Sequence, residues 1–354
     1  MILYDDLTRL AYRRNHLTLL NGSNLMKLLL LTPAPRGSLS GNRATAERWT
    51  RLLEGLGHRV TVGTNYDAQQ ACDADVLIAL HAWRSRDAVT RWRREQGQKP
   101  MIIALTGTDL YRFQYSHPEQ TLATMAAADG LIVLHHLAWQ VVPEELRSRI
   151  TVVLQSAATP PERASRLPAD NDRFDLCVIG HLREEKDPLR AALAARLLPP
   201  ESRIHILQAG KAHDNGWAEA ARDEMTNNPR YQWLGEIPRE QASLLMSQCR
   251  AMVISSTMEG GANVVSEACR AGLPVLASDI PGNLGLLGEN YPGVYPVGDE
   301  QALAGLMLRA EQEPEWLDNL RHLVDRLALE FTPEREQASL DEALTKAVAL
   351  SPAD

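Results

Sequence analysis

A parallel, doubly wound α/β protein built as two similar halves is the fold class this sequence predicts, and three observations predict it. Short β-rich apolar runs alternate with amphipathic helical patterns along nearly the whole chain after Met26. A proline-rich stretch without apolar periodicity, residues 157–172, interrupts that alternation once near the middle. The 354 residues are long for one core and comfortable for two.

Taken in order, residues 1–25 carry Asp5, Asp6, Arg9, Arg13, Arg14 and His16 before any long apolar run. They fail as a secretory signal and read as an N-terminal extension with little ordered structure. Strands are predicted at 27–32, 59–62, 76–80, 101–105, 131–134 and 150–154, which makes a Rossmann-like domain of residues 26–156. Residues 157–172 are the predicted linker. Further strands at 174–179, 203–207, 231–234, 251–254 and 274–277 make a second such domain of residues 173–330, and a terminal helix occupies 331–354.

Composition removes several function classes. With 44% hydrophobic and 23% charged residues the chain is globular, and no run reaches the roughly 18 apolar residues of a membrane span. The net charge of -8 is uneven: residues 1–155 hold 18 Lys+Arg against 14 Asp+Glu, and the remainder holds 19 against 31. A mildly basic first half attracts a small anion, while no block is basic enough for nucleic acid. Cys72, Cys177, Cys249 and Cys269 form no C-x-x-C pair, so reduced thiols in the cytoplasm are expected rather than disulfides or zinc.

Ligands of doubly wound sheets bind outside the carboxyl ends of the strands. The first such junction, Pro33 to Trp49, is a loop with Gly37 and Gly41 running into a helix with apolar spacing at Trp49, Leu52, Leu53 and Leu56. Ser40 or Asn42 caps it, and its first amides, with Arg43, suit an anion; a capped structural helix is the plainer reading. His81 ends the third strand and Thr106-Gly107-Thr108-Asp109 the fourth, both aimed at the same edge. A strand-end histidine is more often structural than catalytic. His135 and His136 lack the spacing that puts two imidazoles on one metal, so no metal site and no cofactor are expected. The arginine-rich helix 84–99 reads as a solvated face ahead of a membrane-surface one.

In the second half, Gly180-His181-Leu182-Arg183-Glu184-Glu185-Lys186 follows a strand, and its basic residues suit a phosphate. The stretch 255–272, SSTMEGGANVVSEACRAG, follows another. Glu259 and Glu267 would diverge by roughly 80° on one continuous helix, so Glu259 belongs before the helix and Glu267 on it. Glycines at the helix start let amides approach a diphosphate, and a carboxylate one turn in suits a pair of ribose hydroxyls.

Those segments, with Tyr231-Gln232-Trp233-Leu234-Gly235-Glu236-Ile237 and Ala271-Gly272-Leu273-Pro274-Val275, resemble the C-terminal domain of GT-B nucleotide-sugar glycosyltransferases of the family 4 type. Phe331-Thr332-Pro333-Glu334 is similar to the helix that crosses back to the N-terminal domain in that fold. The resemblance implies donor contacts from His181, Arg183, Lys186, Ile237, Glu259, Gly260, Gly261, Ala262, Asn263, Val264 and Glu267. Lys186, Glu259 and His81 would be the catalytic residues. Where the family usually has Arg after the first glycine this chain has His181, and Arg183 brings the charge two residues later. Within the family, Ser40 to Trp49, Thr106 to Tyr111 and Gly180 to Pro188 most resemble the enzymes that form selenosugars in selenoneine biosynthesis. That likeness implies UDP-N-acetylglucosamine or UDP-glucose as donor and selenophosphate as acceptor, held by Ser40, Gly41, Asn42, Arg43, Thr106, Gly107, Thr108 and Asp109. A retaining transferase to a lipid or polysaccharide hydroxyl, and a nucleotide-sugar binding protein without turnover, are the competing readings. A dehydrogenase is set aside because no G-x-G-x-x-G follows a predicted strand.

Overall fold

A computed structural model describes residues 25–38, 40–158 and 173–351. The first sheet contains β1 (Lys27–Leu31), β2 (Arg59–Gly63), β3 (Val76–Leu80), β4 (Met101–Ala104), β5 (Gly130–Val133) and β6 (Ile150–Val152), in the spatial order β2-β1-β3-β4-β5-β6. The second contains β7 (Phe174–Ile179), β8 (Ile204–Ala209), β9 (Tyr231–Trp233), β10 (Ala251–Ile254), β11 (Val275–Ser278) and β12 (Val294–Tyr295), in the order β12-β11-β10-β7-β8-β9. Every pairing is parallel.

Parallel strands need crossovers, and the crossover helices cover both sheet faces, which is why β3 and β4 are buried at every residue. One face of the first sheet packs Leu29, Leu77 and Ile103 against Trp92 and Met125, and the other packs Leu28, Ile78 and Ile132 against Trp49 and Leu53. The two-residue strand β12 was not foreseen; flanked by Pro292-Gly293 and Pro296, it is too short to show a period. The expected extension, apart from Leu25, and the expected linker, apart from Ala157 and Ala158, lie outside the described residues.

Chain direction reverses across the sheet between β1 and β3 in the first domain and between β7 and β10 in the second. These are the switch points at which loops splay apart and leave a crevice.

The terminal helix Pro333–Leu350 follows Phe331 out of the second domain and lays Leu340, Ala343, Leu344 and Ala347 into the core of the first. Both inter-domain crossings meet, with the Ala157 amide donating to the Phe331 carbonyl at 3.1 Å. One residue along, the fully buried Glu336 carboxylate accepts from Arg48 Nε at 2.8 Å, Trp49 Nε1 at 2.8 Å, the Ser156 amide at 2.8 Å and Ser156 Oγ at 2.5 Å. Removing it strands the Arg48 guanidinium, which is only 10% exposed, without the carboxylate it bonds. Glu336→Ala is therefore expected to cost about 3–5 kcal/mol in urea unfolding, the range for breaking one partner of a buried pair.

Candidate active site

The second domain supplies a charged edge. β7 ends at Ile179, and Gly180 and His181 lead to a short 3₁₀ turn, Glu184–Lys186, closed by Asp187 at φ 42°. β10 ends at Ile254, and Ser255 Oγ donates to the carbonyls of Lys186 and Asp187 at 3.1 and 2.8 Å, fastening the two loops together. Glu259 follows, 8% exposed; its Oε1 accepts from Ser256 Oγ at 2.6 Å and forms an ion pair with Lys186 Nζ. The helix Asn263–Arg270 then begins with Ala262 in the capping position, so no side chain caps its first amides. Gly180, His181, Lys186, Gln208, Ser255, Ser256 and Val264 line a groove between these loops.

Glu267 sits on that helix and Glu259 before it, as helical geometry requires. The Glu267 carboxylate accepts from Arg239 Nη2 at 3.0 Å. Burial pushes its carboxyl above the ordinary value, with the charges of Arg239 and Arg48 opposing the shift.

The first domain supplies a histidine held from behind. His81 adopts φ 77°, an uncommon backbone for a residue with a Cβ, where β3 turns into the helix Ala82–Gln96. Its Nδ1 lies 2.7 Å from Asp109 Oδ1 and its Nε2 3.0 Å from Thr108 Oγ1. The Arg84 amide also comes within 3.4 Å of Nδ1. The shorter contact to a carboxylate requires the proton on Nδ1, so the Arg84 approach is not a hydrogen bond. Neutral His81 then accepts from the Thr108 hydroxyl, and protonated His81 donates to it. Asp109 is completely buried; its other acceptor positions take the amides of Ala82, Trp83 and Thr106 and the Thr106 hydroxyl at 2.9–3.1 Å. Burial alone would raise this carboxyl, but the His81 contact and the Thr106 and Trp83 amides outweigh it and hold it below the ordinary range.

The two edges face each other at close quarters. A Cβ on Gly260 would lie 2.1 Å from the Gly107 nitrogen, and one on Gly107 would lie 2.5 Å from the Gly260 nitrogen, so only paired glycines let these main chains meet. A Cβ on Gly41 would stand 3.7 Å from Asn263 Nδ2, which sets the N-terminus of the helix Gly41–Gly55 opposite that of the helix Asn263–Arg270. Arg112, in a π-helical turn Asp109–Phe113, bonds Glu185 at 2.7 Å across the cleft.

Residues 161–324 match the family model of glycosyl transferases group 1. Anabaena HepE, solved in complex with UDP-glucose, is 18% identical with a TM-score of 0.72, covering 90% of this chain and 99% of its own. Sucrose-phosphate synthase from Thermosynechococcus elongatus is 17% identical with a TM-score of 0.71, over 92% of this chain and all of its own. The UDP-forming α,α-trehalose-phosphate synthase of Burkholderia vietnamiensis is 11% identical with a TM-score of 0.75, over 94% of this chain and all of its own. The fold is that of the GT-B glycosyltransferases. Glycosyltransferase 1 domain-containing protein 1 of Xenopus tropicalis is 28% identical over 135 residues, 38% of this chain, which spans 39% of that relative's length.

Within this GT-B frame the residues singled out in the sequence take different places. Lys186, Glu259 and Glu267 share one edge, and Ser40, Gly41 and Gly107 face it. Ser40 caps the first helix, its Oγ accepting from the Arg43 amide at 3.4 Å, while the Arg43 side chain is bonded to Glu47 at 2.7 Å. Asp109 lies behind His81, with no surface to offer a ligand. Gly260 makes its close approach to Gly107. Arg183 is 46% exposed on the side chain, and Ile237 packs against the second core where β9 leads into the helix Arg239–Gln248. On the basic helix Arg93 holds Asp129, and Arg91 and Arg94 share Glu95. Among the described residues, no cluster of three metal-ligating side chains occurs and no helix is long and apolar enough to cross a membrane. Arg112, Arg239, Gln155 and Ser256 were not anticipated. Only Ser256 had a local signal, three residues before Glu259 at a strand end.

Because Asp109 is held below its ordinary value of 3.8, its contribution to stability is present above that pH and is lost as pH falls through the folded value. Asp109→Asn should lower stability by about 1–3 kcal/mol at neutral pH, since an amide cannot accept from all of these donors. Thermal melts from pH 7 to pH 3 should show the gap between the two proteins closing only below about pH 4.

Proposed function

We propose that this chain is a glycosyltransferase that moves a sugar from UDP onto a small, already anionic selenium nucleophile, selenophosphate, with release of UDP and phosphate. The observation that supports a small anion between the domains is the meeting of two helix N-termini at Gly41 and Asn263, each a centre of partial positive charge. Donor binding at the second domain is supported by the group 1 match and by the UDP and UDP-glucose carried by Anabaena HepE, whose fold this chain shares. The choice of selenium rests on the resemblance of residues 40–49, 106–111 and 180–188.

On this reading Glu267 takes the ribose hydroxyls and Glu259 the sugar hydroxyls, and the amides from Ala262 to Val264 meet the diphosphate. The selenium lone pair forms the C–Se bond as the anomeric C–O bond breaks, and the electron pair leaves with UDP. Water then cleaves the P–Se bond and yields phosphate. The nucleophile arrives ionised, so no strong base is required. His81, steadied by Asp109, presents Thr108 with either a lone pair or a proton. Lys186 acts where negative charge grows, on the departing diphosphate. Transfer to a lipid hydroxyl is less favoured because Arg91, Arg93 and Arg94 on the basic helix are engaged by Glu95 and Asp129 of their own domain.

Anaerobic incubation with UDP-N-acetylglucosamine or UDP-glucose and fresh selenophosphate should yield UDP and a selenium-bearing sugar by mass spectrometry. Donor-only and thiophosphate mixtures serve as controls. Donor binding without a selenosugar would refute selenophosphate as acceptor and keep the donor site. Lys186→Ala should lower kcat by well over tenfold, given about 2.7–4 kcal/mol for comparable electrostatic groups. Glu267→Gln should weaken UDP binding in calorimetry by roughly tenfold, and unchanged affinity would remove the ribose assignment.

A further inference from the structure

We propose that Gln155 is a positioning residue that locks the glycine loop of the second domain to the first when the cleft is closed. Gln155 stands just past β6, where the chain leaves the first domain, and is 3% exposed. Its orientation is fixed by chemistry: Arg48 can only donate and the Gly261 carbonyl can only accept. The amide oxygen therefore accepts from Arg48 Nη2 at 3.0 Å and Thr45 Oγ1 at 2.6 Å, and the amide nitrogen donates to the Gly261 carbonyl at 2.8 Å and Asn263 Oδ1 at 3.2 Å. All four positions of the side chain are used.

Two of these partners are on the helix Gly41–Gly55 and two are in the other domain, at the first residue of the helix Asn263–Arg270 and just before it. Gly261 has φ 149°, and a Cβ there would lie 2.4 Å from Leu134 Cβ, so the loop is pressed against the first domain at this point. Behind Gln155, Arg48 is fixed by Glu336 and hence by both crossings. The chain of contacts runs from the crossing helix through Arg48 and Gln155 into the loop whose helix faces Gly41. Opening the cleft breaks the last link, so the loop is held only in the closed arrangement.

A carboxylate of equal size would face the Gly261 carbonyl without a proton to give, and leucine would leave every partner unmatched. Gln155→Glu and Gln155→Leu test the two losses separately in the full chain. Hydrogen exchange of the amides from Glu259 to Val265 in the ligand-free protein should rise roughly tenfold in both variants, with β7 and β10 unchanged. Unchanged loop exchange, or equal loosening of the sheets, would overturn the proposal. The consequence for turnover rests on the proposed donor site: kcat should fall roughly tenfold while UDP affinity changes less than about threefold, because UDP meets the second domain before closure. Proportional losses in kcat and UDP affinity would overturn that consequence. If wild-type protein fails to bind UDP, the donor reading falls, and the exchange measurement still decides the role of Gln155.

Discussion

The buried Glu336 carboxylate is the constraint on which the two-domain arrangement depends. A carboxylate taken out of water costs several kcal/mol, and here the cost is offset by the Arg48 guanidinium together with donors from Trp49 and Ser156. Those donors come from the first helix and the outgoing crossing, and the acceptor comes from the returning crossing. A single misplaced partner would leave an uncompensated charge, so the pair specifies geometry more than it adds stability. The geometry it specifies includes the direction of the helix Gly41–Gly55, and therefore which helix end Asn263 meets.

Glycine does a second kind of work at the cleft. The main chain of Glu259 and Gly260 is enclosed from both domains: Gly107 lies on one side, and a Cβ on Gly282 would come within 2.3 Å of the Glu259 carbonyl on the other. An anion seat would account for only part of this run's need for glycine; the rest is the close approach of protein backbone. With Gly260 and Gly261 taken up by Gly107 and Leu134, the uncapped start at Ala262 and Asn263 is where the helix offers its amides. On the proposed function, closure and anion binding share one loop.

What could be read from the sequence follows from the range of each interaction. Strands β1 to β11 announced themselves because short runs rich in apolar and β-branched residues between turn signals are a local pattern, and β12 did not because two residues carry none. The separation of Glu259 from Glu267 followed from helical angles within one segment. The pairing of Glu267 with Arg239, 28 positions away, has no such signature, nor has Arg48 with Glu336, 288 apart. Asp109 was placed at the correct edge, yet whether its carboxylate faced a ligand or His81 depended on how β3 and β4 lie side by side.

Both carboxylates singled out at the second domain are already paired with cations, so a ligand would enter this site by exchange rather than by filling an empty charge. The two pairs differ in what exchange costs. The Arg239 side chain is 61% exposed, so water can take up its charge, and hydroxyl groups can displace it from the 29%-exposed Glu267 at the lower cost of the two. The Lys186 and Glu259 side chains are 20% and 9% exposed, and Ser256 holds the carboxylate from a second direction. Separating them would leave a nearly buried charge behind, which favours a ligand that joins the pair over one that replaces either member. A diphosphate beside Lys186 with a sugar hydroxyl on Glu259 meets that condition: each charge keeps a partner, and the lysine remains where negative charge would grow as the bond breaks.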